Sequence, residues 1–158
     1  MISLPENPYI KDGLLCSFKN GSVGLFSFEK KNLEFLTEPN HSETIFDIQF
    51  SRINKNILAT GSYDGTLKIW DVNKMSCIST MVNSNTEKKL NPVYGLSWSP
   101  NSLEMVTVHL NGDVILWDCE KSRLISSIKP GGGSPIYRVE YNKLKPDLIA
   151  SGSSEGFA

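Results

Sequence analysis

The chain has 158 residues, 16 of them basic and 17 acidic, for a formal net charge of −1, with 39% hydrophobic and 21% charged side chains. This balance is ordinary for a globular chain and speaks against both a nucleic-acid binder that works by phosphate neutralisation and an acidic disordered tail. Apolar runs are only a few residues long, far short of the roughly 20 needed to span a bilayer, and MISLPENPYIKDG lacks the basic-then-apolar order of a signal peptide, so neither nucleic acid nor membrane is an expected partner.

In chain order, residues 1–12 read as a lead-in. A first unit, 13–40, carries short strands at 13–18, 23–28 and 32–36, with a turn at Asn20-Gly21. A second, 41–82, has four: strand a at 44–50 (TIFDIQF), b at 57–62, c at 66–70 and d at 76–81, with the tight turn Tyr63-Asp64-Gly65 between b and c. A third, 83–129, repeats this at 93–98, 103–108, 114–117 and 123–128, with turns at Ser99-Pro100-Asn101-Ser102 and Asn111-Gly112. A last unit, 130–158, has strands a (135–141) and b (148–153). No segment of twelve or more residues shows a 3.6-residue apolar stripe with caps, so the chain reads as all-β.

These units are copies of one another. LATGSYDGTLKIWD (58–71) lies over MVTVHLNGDVILWD (105–118) at an offset of 47, which sets Gly65 on Gly112, Trp70 on Trp117 and Asp71 on Asp118. CSFKNGSVGLFS (16–27) aligns at an offset of 44, with Asn20-Gly21 over Asp64-Gly65 and Phe26-Ser27 in place of Trp-Asp. IASGSSEGFA (149–158) matches at an offset of 91. Spacing of this order is the mark of a repeat architecture.

With His41 before strand a, Ser62-Tyr63-Asp64-Gly65-Thr66 across the b–c turn and Trp70-Asp71 closing strand c, the chain resembles the WD-repeat family. The resemblance implies a partial β-propeller of four-stranded antiparallel blades, about three blades in all. Blades stacked face to face are buried on both sides, which suits small residues on strand b (Ala59, Gly61, Ala150, Gly152) beside bulky ones on a and c (Phe46, Phe50, Trp70, Tyr94, Trp98, Trp117). The resemblance also implies one hydrogen-bonded set per blade, here His41, Thr60 or Ser62, Asp64 and Trp70, since a buried indole N–H needs a partner. In the third unit Asn111 stands at the Asp position, Thr107 and His109 at the strand b positions, and no His precedes 93, so a full set is not expected there. Propellers have four to eight blades, so the strand count reads as a piece of a larger ring, completed by the rest of a parent propeller or by a second copy of the chain.

The resemblance implies a non-catalytic scaffold for other proteins or peptides, with contacts on the loops at one end of the ring. Tyr63, Lys88 and Lys89 are the candidate contact residues. One alternative is a reader of modified peptides at the channel mouth. Another is a hydrolase-like site around His41, Ser62 and Asp64, which lacks the G-x-S-x-G elbow. The glycines of Lys129-Pro130-Gly131-Gly132-Gly133-Ser134-Pro135 precede a strand rather than a helix and read as a d–a loop, not a phosphate cradle. Neither His41 nor His109 has a Cys or His at metal-ligand spacing, so no metal or other cofactor is expected. Three widely spaced cysteines without a CxxC pair (Cys16, Cys77, Cys119) fit a reducing compartment, the cytoplasm or, alternatively, the nucleus.

Overall fold

The computed structural model describes residues 2–3, 13–35, 40–83, 90–130 and 132–155. They form fourteen strands and, among the described residues, no helix: β1 (Ile2–Ser3), β2 (Gly13–Ser17), β3 (Val23–Ser27), β4 (Asn32–Phe35), β5 (Ile45–Phe50), β6 (Ile57–Ser62), β7 (Thr66–Asp71), β8 (Ser76–Val82), β9 (Val93–Trp98), β10 (Glu104–His109), β11 (Val114–Asp118), β12 (Arg123–Ile128), β13 (Ile136–Tyr141) and β14 (Ile149–Ser153). Sequential antiparallel pairing gathers them into sheets ordered β1-β2-β3-β4, β5-β6-β7-β8, β9-β10-β11-β12 and β13-β14. This is a partial propeller of antiparallel blades.

One difference from the sequence reading lies in the first blade. Within the 1–12 lead-in, Ile2 pairs with Leu15 and Ser3 with Leu14, so this sheet has a fourth strand in position a. Two residues are too few to show alternation, and main-chain pairing to β2 does not depend on it.

The repeated turns share one geometry. Gly21, Gly65 and Gly112 have φ of +83°, +81° and +81°, and each donates its N–H three residues back, to Phe18, Ser62 and His109. This is a type I turn closed by a left-handed residue, which explains the glycine at that place. Each turn packs on the lead-in of the next blade. A Cβ on Gly21 would strike the carbonyl of His41, and one on Gly112 would lie within 2.9 Å of Gly133.

Because residues alternate across a strand, each of the two inner sheets contributes one face to the seam before it and one to the seam after it. Leu58, Trp70 and Ile48 point back to Leu15, Val23 and Leu25 of the first blade. Their neighbours Ala59, Leu67 and Ile69 point forward to Leu96, Trp98, Met105, Ile115 and Trp117. Val106 and Val108 then meet Ile136, Val139 and Tyr141. The core is therefore three seams rather than one centre. Small residues on strand b let the blades approach, and a Cβ on Gly61 would sit 2.6 Å from Val93 Cγ1.

Polar bonds cross the same seams. The Trp98 indole N–H donates to the Gln49 carbonyl (3.2 Å), and Asp47 Oδ2 accepts from the Leu96 N–H (3.0 Å). The Tyr141 N–H donates to Ser97 Oγ (3.0 Å).

Two expectations fail at the margins. Phe46, expected inside, is 42% exposed. Ala150 and Gly152 on β14 are also exposed, since no described strand covers that face.

Candidate functional site

The polar cluster of the second blade grows from its tryptophan. Trp70 is buried on β7, and its indole N–H donates to Thr60 Oγ1 (2.9 Å) on the adjacent β6. The Thr60 oxygen thus accepts from the indole and keeps one proton for His41 Nε2, 2.6 Å away. That order assigns the ring proton of His41 to Nδ1, which faces Asp64 Oδ2 at 3.0 Å. Asp64 in turn accepts from the Ser42 N–H (3.0 Å), the Thr66 N–H (2.8 Å) and the Thr66 hydroxyl (2.7 Å). Burial alone would raise the Asp64 pKa, but the bonds from His41 and Thr66 outweigh it and hold the carboxyl well below its ordinary range.

The structure thus brings His41, Thr60, Asp64 and Trp70 into one chain of bonds, and it sets Ser62 apart. The Ser62 hydroxyl points to the carbonyls of Glu43 (3.1 Å) and Thr44 (3.0 Å), and its oxygen accepts from the Asp64 N–H (3.2 Å). It ties the lead-in of strand a to strand b. A serine nucleophile needs a base within reach, whereas here the imidazole's Nε2 meets the Thr60 hydroxyl. His41, Ser62 and Asp64 therefore do not form a hydrolase-type relay.

In the third blade the full set with a carboxylate on the imidazole does not form, but a shorter chain of bonds takes its place. The Trp117 indole N–H donates to Thr107 Oγ1 (2.8 Å), and that hydroxyl meets His109 Nε2 (2.9 Å). His109 Nδ1 then donates to the Asn91 carbonyl (3.1 Å). The imidazole comes from strand b itself, two residues beyond the threonine and on the same face. The carboxylate has moved as well. Asp113 accepts from the side-chain amides of Asn91 (3.2 Å) and Asn111 (2.8 Å), and Lys129 lies 3.6 Å from it. Burial favours the neutral form of His109 and lowers its pKa against the opposing pull of the Asn91 carbonyl and Asp113. A His at the strand b position, two residues after Thr, was the available signal.

Of the candidate contact residues, Tyr63 is 38% exposed, while Lys88 and Lys89 lie outside the described residues. The Tyr63 ring meets Phe46 edge-on, with centroids 6.0 Å apart. Phe46 meets Tyr94 at 4.7 Å, and Tyr94 meets Tyr137 edge-on at 5.2 Å. Sequence reasoning missed this row. Its signal was an aromatic second residue in three successive strands a: Ile45-Phe46, Val93-Tyr94, Ile136-Tyr137. Among the described residues, no group of three His, Cys, Asp or Glu is arranged to hold a metal ion.

Comparison with known proteins agrees with this architecture. Residues 33–71 and 76–118 match the WD40 family, described as WD domain, G-beta repeat. The COMPASS component SWD3 of Saccharomyces cerevisiae is 30% identical over 82 residues, which cover 50% of this chain and 26% of that protein. The mouse peroxisomal targeting signal 2 receptor is 24% identical over 154 residues, 92% of this chain and 47% of the receptor. The Drosophila melanogaster GATOR2 complex protein Wdr59 is 30% identical over 105 residues, 65% of this chain and 10% of that protein. The chain spans less than half the length of each of these relatives.

Proposed function

The chain belongs to the WD40 repeat family, and from that membership we propose that it is part of a non-catalytic scaffold that binds other proteins or peptides. The observation that carries this reading is the fate of the reactive-looking side chains. His41, Thr60, Asp64 and Thr66 bond to one another and end on a core indole, and Ser62 is held by two carbonyls. Groups so consumed serve the blade. What the fold presents outward is the row of aromatic rings. Relatives named as components of the COMPASS and GATOR2 complexes, and as a receptor, support the same reading. Three free, half-buried cysteines support a reducing compartment, cytoplasm or nucleus. The open side of β14 is where further blades, or a second copy of the chain, would pack.

The test pairs two readouts on Ser62→Ala. A scaffold loses stability and shows no turnover of a panel of ester and amide substrates before or after substitution. Turnover by the parent chain, abolished in a variant of unchanged melting temperature, would overturn the reading. Cross-linking of the chain in extracts of its own cells is expected to recover protein neighbours, with fewer recovered by the destabilised His41→Ala variant.

A further inference from the structure

The fourth blade ties its lead-in to its b–c turn by a different chemical group from the blades before it. The alignment is shared. Ile136 pairs with Ser153 as Ile45 does with Ser62, and in β5, β9 and β13 the second residue (Phe46, Tyr94, Tyr137) is an extra, bulged one. The Ser154 N–H donates to the Pro135 carbonyl (3.0 Å), as the Tyr63 N–H does to Thr44 (2.8 Å). Glu155 therefore stands where the second blade has Asp64. In the second blade the lead-in holds that carboxylate through the His41 imidazole and the Ser42 N–H. In the third, the buried Asn91 amide holds Asp113. In the fourth, a hydroxyl does so: Ser134 Oγ donates to Glu155 Oε1 at 2.5 Å, exposed to solvent. Among the described residues Glu155 has no cation and no second donor.

The residues around this hydroxyl fit a modifying enzyme. Ser-Pro occurs twice, at Ser99-Pro100 and Ser134-Pro135. Ser99 is 3% exposed, and its hydroxyl is bound by Asn101 and by both main-chain groups of Glu104. Ser134 lies before β13, outside the ladder, and follows two left-handed glycines, Gly132 (φ +67°) and Gly133 (φ +111°). Nothing lies within 4 Å of where a Cβ on Gly132 would be. The following proline biases Ser134 toward extended backbone and carries no N–H, so an apolar pocket can take its ring without stranding a donor.

We propose that Ser134 is the phosphate acceptor of a proline-directed protein kinase, and that its phosphate opens the tie between lead-in and turn in the fourth blade. Ser134 Oγ gives a lone pair to the γ-phosphorus of ATP, the bond to the β,γ-bridging oxygen breaks, ADP leaves with that electron pair, and the hydroxyl proton passes to the kinase's base. Glu155 thereby loses its donor and faces a group of about two negative charges. The lead-in is backed by the third blade, where a Cβ on Gly112 would lie 2.7 Å from the Ser134 carbonyl oxygen, so the repulsion falls on the Glu155 turn. This modification goes beyond the scaffold reading and does not depend on it.

The experiment incubates the full 158-residue chain with an active MAP kinase and ATP, locates phosphate by mass spectrometry and follows amide hydrogen exchange. Phosphate is expected on Ser134 and not on Ser99. Pro135→Ala, which keeps the acceptor, is expected to slow the reaction about tenfold. After phosphorylation the Ser154 amide is expected to exchange about fivefold faster than in the unmodified chain. In Glu155→Gln, where no carboxylate opposes the phosphate, the same comparison is expected to give less than about twofold. No phosphate on Ser134, equal modification of Ser99, an undiminished rate in Pro135→Ala, unchanged exchange at Ser154, or an equal response in Glu155→Gln would each overturn the proposal.

Discussion

The second and third blades satisfy the same buried indole by different routes. In the second, the imidazole arrives from the lead-in to strand a and ends on a carboxylate, Asp64. In the third, His109 stands where the second blade has Ser62, and the imidazole ends on the main-chain carbonyl of Asn91. The carboxylate shifts from the turn (Asp64) to the head of strand c (Asp113, where the second blade has Thr66). What the blade requires is a hydroxyl over the tryptophan and a ring nitrogen over the hydroxyl. The chain position that provides the ring is secondary, because residues of the lead-in and of strand b converge on one point in space.

Substitutions can break this equivalence. The largest effect is expected for His109→Ser, which gives the third blade the residue of the second without its lead-in histidine. It removes a fully buried ring and leaves Thr107 short of a partner, so urea unfolding should show a loss of about 2–4 kcal/mol. A loss below about 1 kcal/mol would mean that the two histidines are not doing the same job.

Next comes pH, where the blades should part. Asp64 has a folded pKa below its ordinary value, so its stabilisation is present above about pH 4 and lost as pH falls further. His109 also has a folded pKa below its ordinary 6.5, because burial penalises the imidazolium. The unfolded chain therefore takes up that proton first, and stability begins to fall as pH drops through about 6.5. Each group adds at most about 1.4 kcal/mol per pH unit within its window. In unfolding midpoints measured against pH, Asp64→Asn should flatten the lower window alone and His109→Gln the upper one alone.

A smaller effect is expected for Ser62→Ala. It removes a hydroxyl that ties Glu43 and Thr44 to strand b, and about 1 kcal/mol should be lost. The smallest is Lys129→Ala in the third blade. Its partner Asp113 keeps two amide donors and Lys129 itself is half-exposed, so denaturant curves should move by no more than about 0.5 kcal/mol.

Much of this was legible in the residues. Strand alternation and the Asn-Gly and Asp-Gly turns place β6, β9 and β12 at the residues where the sheets have them. Local rules suffice there, since side-chain alternation and a left-handed glycine are properties of a few neighbouring residues. The His41–Thr60–Trp70 chain could be read only through family resemblance, and Ser62 could not be told from Thr60 by spacing, as both face the same way on β6. Phe46 and Tyr94 looked like core residues because a bulge is a matter of pairing register, and one strand does not carry its partner's register.

The order of residues alone determined that this polypeptide makes short antiparallel strands in repeating fours, with glycine at the left-handed b–c turns and tryptophan near the close of strand c in the second and third units. Tertiary structure decided which imidazole reaches which threonine, that two residues at the N-terminus complete the first sheet, and that three bulged aromatics leave the seams to meet one another. The physical reason is reach. Strand and turn preferences act over a few bonds, whereas hydrogen-bond partners and ring contacts join residues about 20 to 50 positions apart once the blades are stacked.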